Sequence, residues 1–300
     1  LARLIRNREV KAVEVMTAFL AQINRVNPKV NAIPTFIGEE AAMRAAKEAD
    51  EQLAKDRVPG PLHGFPHAVK DLAATAGIRT TQGSPIYKDF VPTADALIVE
   101  RLKAAGAIII GKTNTPEFGA GANTFNEVFG ATLNPWDTSR SAAGSSGGAA
   151  AALATGTAWL AHGSDMGGSL RSPASFCGVV GMRPSIGRVA NSPAAKLDRT
   201  LGVQGPMARN VEDLALLLDA MSGEHAADPL SLPRLPLSFL SAARSGRRPV
   251  RVAYSPDLGI TPVDPEVAAI TRKAAQRFAE AGAIVEEAHP DLREAHDCFH

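Results

Sequence analysis

The chain has 300 residues, of which 45% are hydrophobic, and its 32 Lys and Arg nearly balance its 31 Asp and Glu. Such a chain can bury a sizeable core without disulfides or metals, and the balanced charge argues against a nucleic-acid-binding surface. The two cysteines, Cys177 and Cys298, lie far apart, which excludes a disulfide framework and a CxxC metal site and favours the reducing cytoplasm.

The chain opens on a helical pattern. Apolar residues between Leu4 and Ile23 recur at three- and four-residue spacings, which predicts two amphipathic helices that end at Asn27-Pro28. A solvated helix rich in Ala, Glu and Lys is predicted over residues 39–55. We expect residues 1–58 to form an N-terminal helical segment of a larger domain. The opening residues have no helix cap and no signal-peptide pattern, so we expect native residues before Leu1. No apolar run is long enough to predict a membrane helix.

Short apolar runs alternate with helical patterns through the rest of the chain. The run from Phe65 to Val69 predicts a buried strand that delivers Lys70 at its C-terminal end. The other predicted strands are 107–110, 158–162, 250–254 and 283–285, and the other predicted helices are 94–105, 147–154, 210–221 and 265–281. This alternation predicts an α/β fold with a mixed, largely parallel central sheet covered by helices on both faces. We expect a single domain over residues 1–300.

Two glycine-flanked serine sites lie on either side of one apolar segment. Ser145 and Ser146 stand in G-S-S-G-G, and Ser169 stands in D-M-G-G-S-L-R. Glycine permits tight turns that bring backbone N–H groups close to a small molecule. Consecutive N–H groups in the second site favour a nest that holds an oxyanion; they belong to Met166, Gly167, Gly168 and Ser169. An ordinary tight turn is the alternative for this site, and a phosphate cradle at a helix N-terminus is the alternative for G-S-S-G-G. The chain has no Walker lysine to support such a cradle.

A serine hydroxyl needs a base before it acts as a nucleophile. His162 is the histidine nearest in sequence to these serines, but it falls in the apolar run, and we interpret it as a hydrogen-bonded histidine at a strand end. Lys70 follows the apolar F-P-H-A-V. Burial there disfavours the charged ammonium and lowers its pKa, which would leave a neutral amine able to act as the base. From position alone, a surface lysine paired with Asp71 stays equally open.

These residues resemble the amidase signature family of Ser-cisSer-Lys amide hydrolases. The resemblance covers the whole chain and is strongest over residues 59–222, in P-G-P-L-H-G-F-P-H-A-V-K-D, G-K-T-N-T-P-E-F-G, N-P-W-D, G-S-S-G-G, G-S-D-M-G-G-S-L-R-S-P-A-S-F-C-G-V-V-G-M-R-P-S and G-P-M-A-R-N-V-E-D-L-A-L-L-L. The chain departs from the family at Ala142-Ala143, where Pro-Gly is usual. Family members are also longer, so we expect the C-terminal part of the amidase signature fold to be missing.

The resemblance implies a role for each residue of the site. It makes Ser169 the nucleophile, Ser145 a proton relay that follows a cis peptide bond, and Lys70 the base. The remaining residues are implied to bind or support: Met166, Gly167, Gly168 and Ser169 at the oxyanion, Gly119 beside the substrate, and Ser146, Asp165 and Arg171 behind the two loops. The implied activity is hydrolysis of a small-molecule amide, with no cofactor, metal, nucleic acid or membrane. A homodimer is left open.

Two other functions fit the same resemblance. One is the glutaminase subunit of a tRNA-dependent amidotransferase, although T-P-E-F-G-A-G-A-N-T-F-N replaces the M-D-E-F-A-M-G-S-S-type run associated with that protein. The segment from Val189 to Gly205 also favours a free-standing amidase. The other is a catalytically silent binding protein, which the presence of Lys70, Ser145 and Ser169 disfavours.

Overall fold

The computed structural model describes residues 1–58, 60–191 and 201–299. Part of the segment from Val189 to Gly205 therefore lies outside the described residues. The chain divides into two compact units, one from Leu1 to Arg244 and one from Ser245 onward. The expectation of one domain over the whole length stays a prediction.

The first unit contains every residue predicted to form the site. Its helices are α1 (Ala2–Arg6), α2 (Ala12–Val30), α3 (Glu39–Ala54), α4 (Leu97–Ala104), α5 (Gly147–Ala154), α6 (Arg171–Cys177), α7 (Val211–Met221) and α8 (Phe239–Arg244). Its strands are β1 (Thr35–Phe36), β2 (Pro66–Lys70), β3 (Ile108–Thr113), β4 (Phe125–Asn126), β5 (Gly130–Ala131), β6 (Leu160–Asp165), β7 (Val180–Gly181) and β8 (Val203–Ala208). The predicted alternation of strands and helices is confirmed, and α5 has the predicted bounds.

Helix α2 runs past its predicted stop at Asn27-Pro28. Pro28 lies inside the last turn, where a missing N–H removes a single bond from the helix. The stop comes at Asn31, which has a left-handed backbone and donates its N–H to the carbonyl oxygen of Asn27 at 2.7 Å. Asparagine tolerates that conformation better than most residues, so the prediction was wrong by about one turn.

The strands of the first unit form two three-stranded sheets and one short hairpin. In the first sheet, of order β1-β3-β2, β2 and β3 are parallel and β1 is antiparallel to β3. In the second, of order β6-β8-β7, both ladders are antiparallel. The first sheet is therefore mixed, as predicted, whereas the second is entirely antiparallel. Strand β8 contains V-Q-G-P-M-A, and its glycine and proline hid it from the sequence analysis.

Helices cover both faces of the first sheet, as predicted. Side chains of a strand alternate between its two faces, and β3 sends Ile108 and Ile110 to one buried cluster and Ile109 to another. The first cluster includes apolar residues of α2, α3 and α5, and the second includes residues of α4 and α7. The sheet thus lies between two helical layers, and its strand ends are fixed on both sides.

The second unit is a βαβ element with a short terminal helix. Its elements are β9 (Arg251–Tyr254), α9 (Pro265–Glu280), β10 (Ile284–Glu287) and α10 (Ala295–Phe299). Strands β9 and β10 pair in parallel, and α9 makes the crossover between them. The strands and the helix predicted in this region are confirmed. Among the helices that the structure describes, none has the length and apolarity to cross a bilayer.

Candidate active site

Lys70, at the C-terminal end of β2, is fully buried and faces three serine hydroxyls. Its Nζ lies 2.8 Å from Ser145 Oγ, 2.9 Å from Ser146 Oγ and 3.0 Å from Ser164 Oγ. A charged ammonium donates three hydrogen bonds, whereas a neutral amine donates two and accepts one. Because a hydroxyl both donates and accepts, these partners suit either protonation state of the lysine.

Burial lowers the pKa of Lys70 from 10.5 to about 7, because the charged ammonium loses its water. The negative charge of Asp165 raises this pKa, but less strongly than burial lowers it. Asp71 does not serve as the partner of Lys70, since its carboxylate accepts from the backbone N–H and the hydroxyl of Thr81. Lys70 is therefore a buried lysine, and its neutral form is well populated at neutral pH.

The first serine loop leads directly into α5. The peptide bond between Gly144 and Ser145 is cis, as the resemblance implies. The hydroxyl of Ser146 donates to the carbonyl oxygen of Ser164 at 3.3 Å. The backbone N–H of Ser146 donates to the carbonyl oxygen of Ser169 at 3.2 Å, so the two serine loops are joined through their backbones.

The backbone N–H groups at the start of α5 have partners inside the protein. Gly147 donates to Thr124 Oγ1 at 3.0 Å, and Gly148 donates to the carbonyl oxygen of Asn114 at 3.3 Å. A phosphate at a helix N-terminus needs N–H groups that point at the ligand. The first loop is therefore not a phosphate cradle.

Ser169 lies in the turn between β6 and α6 and is half-buried. Within the described ranges, no protein group forms a hydrogen bond with its hydroxyl, and the hydroxyls of Ser145 and Ser169 are not hydrogen-bonded to each other. Catalytic hydrogen bonds often tighten only when substrate binds. The structure thus brings Ser145 to Lys70, and the role of Ser169 stays a prediction.

Asp165, the last residue of β6, holds the second serine loop in place. Its buried carboxylate accepts two hydrogen bonds from Arg171, at 3.0 and 3.1 Å, and one from the backbone N–H of Leu170 at 3.1 Å. Arg183 donates to both the carboxylate and the backbone carbonyl of Asp165. Burial alone would raise the pKa of Asp165, but the hydrogen bonds from Arg171 and from the backbone N–H groups of Gly168 and Leu170 lower it to about 2. The carboxylate is therefore charged and ties β6 to α6.

One of the four N–H groups predicted to form the oxyanion nest is already used, since Gly168 donates to Asp165 Oδ1 at 2.8 Å. The N–H groups of Met166, Gly167 and Ser169 have no acceptor among the residues that the structure describes. Met166 and Gly167 are also exposed. The predicted nest is thereby reduced from four donors to three.

Gly119 lies beside the relay serine. A Cβ built on this glycine would be 3.6 Å from Ser145 Oγ and 2.7 Å from Leu72 Cδ1, and its φ of +71° is left-handed. A side chain at this position would therefore crowd the site and strain the backbone. The N–H of Gly119 donates to the carbonyl oxygen of Pro116, so this donor already has an acceptor, and the contact of Gly119 with a substrate stays a prediction.

Sequence reasoning missed two residues of the site, Ser164 and Arg183. Ser164 comes immediately before Asp165 on β6, and alternation along the strand turns its side chain to Lys70 while Asp165 turns to the arginines. The strand predicted over residues 158–162 ended before Ser164 and Asp165. Arg183 stands in the G-M-R-P-S block of the resemblance, which is the signal that could have found it.

Comparison with known proteins assigns the chain to a family. A family model described as Amidase matches residues 14–299. The chain belongs to the amidase family. It is 43% identical over 277 residues to an acylamidase of Rhodococcus erythropolis, a match that covers 92% of this chain and 58% of that protein. It is 41% identical over 283 residues to a glutamyl-tRNA(Gln) amidotransferase subunit of Carboxydothermus hydrogenoformans, a match that covers 94% and 58% of the two chains.

Solved structures of this family share the fold. A bacterial aryl acylamidase of the amidase signature enzymes superposes with a TM-score of 0.91 at 31% identity, over 99% of this chain and 62% of that one. A 6-aminohexanoate cyclic dimer hydrolase superposes with a TM-score of 0.87 at 35% identity, over 96% and 60% of the two chains. The amidase signature fold is therefore confirmed. This amidase-family chain spans about three fifths of the length of these relatives.

Proposed function

We propose that this amidase-family chain hydrolyses a carboxylic amide to an acid and ammonia or an amine, through an acyl-enzyme on Ser169. The observation that carries the proposal is the position of the Lys70 amine, buried and 2.8 Å from the Ser145 hydroxyl. A pKa of about 7 leaves this amine neutral often enough to accept a proton at physiological pH. The acylamidase and aryl acylamidase relatives support an amide as the substrate.

In the resting site the neutral amine of Lys70 donates to two hydroxyls and accepts from the third. Ser146 is suited to accept, since its hydroxyl already donates to a carbonyl oxygen. Of the other two hydroxyls, that of Ser145 lies nearer to the amine, at 2.8 Å against 3.0 Å for Ser164, and we assign it to donate its proton to the amine. As Ser145 transfers this proton, its oxygen becomes able to take the proton of the Ser169 hydroxyl, and Ser169 Oγ attacks the amide carbon.

The tetrahedral intermediate would place its oxyanion at the three unpartnered N–H groups of Met166, Gly167 and Ser169. Removing one such donor costs an acyl-transfer enzyme about 10²–10³-fold in rate. Collapse of the intermediate breaks the C–N bond, and the leaving nitrogen takes the proton from Lys70 through Ser145. Water then attacks the ester of Ser169, and its proton passes through Ser145 to the amine of Lys70. Collapse of this second tetrahedral intermediate breaks the bond between Ser169 Oγ and the acyl carbon and releases the acid. The proton returns from Lys70 through Ser145 to Ser169 Oγ.

The glutaminase subunit of a tRNA-dependent amidotransferase is the second candidate. It is favoured by relatives at 41% identity that are named as glutamyl-tRNA(Gln) amidotransferase subunits. The same machinery would then release ammonia from glutamine, and other subunits would bind the tRNA. Glutamine as the one good substrate, together with copurifying subunits, would favour this candidate. A broad range of acyl amides would favour the free-standing amidase. A cytoplasmic location stays a prediction in both cases.

The test is the Ser169→Ala variant of the purified protein. We expect it to fold with an unchanged melting temperature and to lose at least about 10³-fold in kcat on any amide that the wild type cleaves. A fluorophosphonate probe should label the wild type at Ser169 and leave the variant unlabelled. Retained turnover would refute the nucleophile assignment, and a folded wild type that neither turns over amides nor takes the probe would favour a silent binding protein.

A further inference from the structure

Strands β2 and β6 lie side by side, although each is an edge strand of a different sheet. Among the described residues no backbone ladder joins them, so the contact depends on side chains. The N–H of Lys70 on β2 donates to Nδ1 of His162 on β6 at 3.4 Å. We propose that His162 is a positioning residue that fixes the backbone of Lys70 against β6 and so aims the lysine at its serines. This inference rests on the proposed function.

His162 and Ser164 hold Lys70 at two points. They are two residues apart on β6 and therefore share a face, about 6.6–6.8 Å apart along the strand. His162 contacts the backbone N–H of Lys70, and Ser164 Oγ lies 3.0 Å from its Nζ. One face of β6 thus fixes both the root and the tip of the lysine side chain. The distance from the amine to Ser145 then depends on the register between the two strands.

Gln204 on β8 selects the ring form that this contact needs. It lies opposite Ser164 in the antiparallel ladder, and its Oε1 is 2.7 Å from Nε2 of His162. An amide oxygen only accepts, so the ring proton resides on Nε2. Nδ1 then keeps its lone pair for the N–H of Lys70. The proton on Nε2 and the engaged lone pair also exclude His162 as the base in this arrangement.

The ring is neutral throughout the range in which Lys70 titrates. Burial lowers the pKa of His162 to about 3; the hydrogen bond with Gln204 raises it, and the charges of His67, Lys70 and Lys112 lower it. His67 and Lys70 face it from β2 and Lys112 from β3. In a doubly protonated ring, Nδ1 would carry a proton and could not accept a hydrogen bond from the backbone N–H of Lys70. The neutral form therefore preserves the contact across the pH range in which Lys70 titrates.

Two amide variants separate this role from simple packing. In His162→Asn the amide oxygen stands near the position of Nδ1 and keeps an acceptor for Lys70. In His162→Gln the amide reaches the position of Nε2 and keeps the contact with Gln204 alone. Both variants replace a buried imidazole with an amide, so their losses of stability should be similar. His63→Leu is the matched control, because His63 is also buried but bonds to the carbonyl of Ala49.

We expect His162→Gln to lose at least about tenfold in kcat with KM within about threefold of wild type, since a misaligned base slows chemistry more than binding. His162→Asn should stay within about threefold of wild type in kcat. His63→Leu should lower the melting temperature and leave kcat unchanged. Equal kcat values for the Asn and Gln variants, or no loss in the Gln variant, would overturn the proposal.

A measurement on the wild type keeps the proposal testable if a variant does not fold. Nitrogen-15 NMR of the His162 ring should show a proton on Nε2 and none on Nδ1 down to about pH 5. A proton on Nδ1 at neutral pH would overturn the proposal. A wild type that cleaves no amide but shows the expected ring form would count against the proposed function and leave the contact itself intact.

Discussion

Two lysines on neighbouring strands, Lys70 on β2 and Lys112 on β3, are both fully buried. Burial lowers the pKa of each, to about 7 for Lys70 and about 8 for Lys112. Their partners differ. Lys70 faces three serine hydroxyls, whereas Lys112 donates to the carbonyl oxygen of Ala73 and to Thr75 Oγ1.

A lowered pKa does not by itself make a buried lysine a catalytic base. The pKa of Lys112 is lowered by burial and raised by Asp71 and Asp95, yet its amine contacts no serine of the site. Instead, the amine of Lys112 donates to the carbonyl oxygen of Ala73 and so fixes the chain that follows β2. Lys70 has serine hydroxyls as its partners, and one of these serines, Ser164, comes directly before the second serine loop. A base needs a partner whose proton can be passed on.

Substitution of the two lysines should affect kcat very differently. Lys70→Met should lower kcat by about 10³-fold or more, because it removes the base. Lys112→Met should stay within about tenfold of wild type, because it contacts no reacting group. Both variants need a circular dichroism spectrum and a melting curve beside the kinetics. A folded Lys112→Met protein as inactive as Lys70→Met would contradict the assignment of Lys70 alone as the base.

A smaller effect is expected when Asp165 loses its charge. Asp165→Asn leaves Arg171 and Arg183 without their carboxylate. Because the Arg171 side chain is exposed, we expect the loss of unfolding free energy to be smaller than the about 3–5 kcal/mol typical of a fully buried pair. The charge of Asp165 also raises the pKa of Lys70. Its removal should therefore lower that pKa and move the acid limb of kcat/KM below its wild-type midpoint near 7. Chemical denaturation and a pH–rate profile measure the two effects.

An unshifted acid limb in Asp165→Asn would show that the limb does not report Lys70. Arg244→Met serves as the control for losing an ion pair, since Arg244 pairs with Glu212 on the surface. Such an exposed pair contributes little, so the acid limb and the stability should both stay close to wild type.

The smallest effect concerns stability and pH. The pKa of Lys70 is lower in the folded protein than in the unfolded chain, so the unfolded chain binds the extra proton between about pH 7 and 10.5. The cost of burying Lys70 is therefore full below about pH 7 and disappears as the pH rises to about 10.5. Lys70→Met should therefore be more stable than wild type at low pH. The gain should be on the order of a few kcal/mol, reduced by the cost of leaving the serine hydroxyls without a hydrogen-bond partner.

That gain should shrink as the pH rises from about 7 to about 10. Urea denaturation of both proteins across this range measures it. The same comparison on Lys112→Met should give a smaller total change over this range, since the pKa of Lys112 is lowered less. A stability difference for Lys70→Met that does not change with pH would mean that the buried amine is charged.

Sequence alone located the parts of the site that depend on local pattern. The apolar run before Lys70 predicted a buried strand end, the flanking glycines predicted the two serine loops, and the resemblance supplied the cis bond before Ser145. The sequence analysis did not predict contacts that depend on strand register. Ser164 reaches Lys70 because β6 continues to Asp165. The contact between His162 and Gln204 exists because β8, with Gly205 and Pro206, pairs antiparallel to β6.

The oxyanion nest shows a second limit. A run of glycines indicates where backbone N–H groups are able to gather, but it does not show which of them already have acceptors. The acceptor of Gly168 is a side chain three residues earlier, Asp165. Whether that side chain turns back toward the loop depends on the arginines that hold it, and those come from α6 and from Arg183.

Adjacent residues of β6 point in opposite directions, and this alternation keeps the carboxylate of Asp165 away from the amine of Lys70. Ser164 offers Lys70 a hydroxyl, while the next residue sends its carboxylate to the arginines. Deleting or inserting one residue upstream of Ser164 would exchange the two and set an anion against the amine. The lysine would then hold its proton as a salt-bridged ammonium. A chain that still folded would thus lose its base through a shift of one residue.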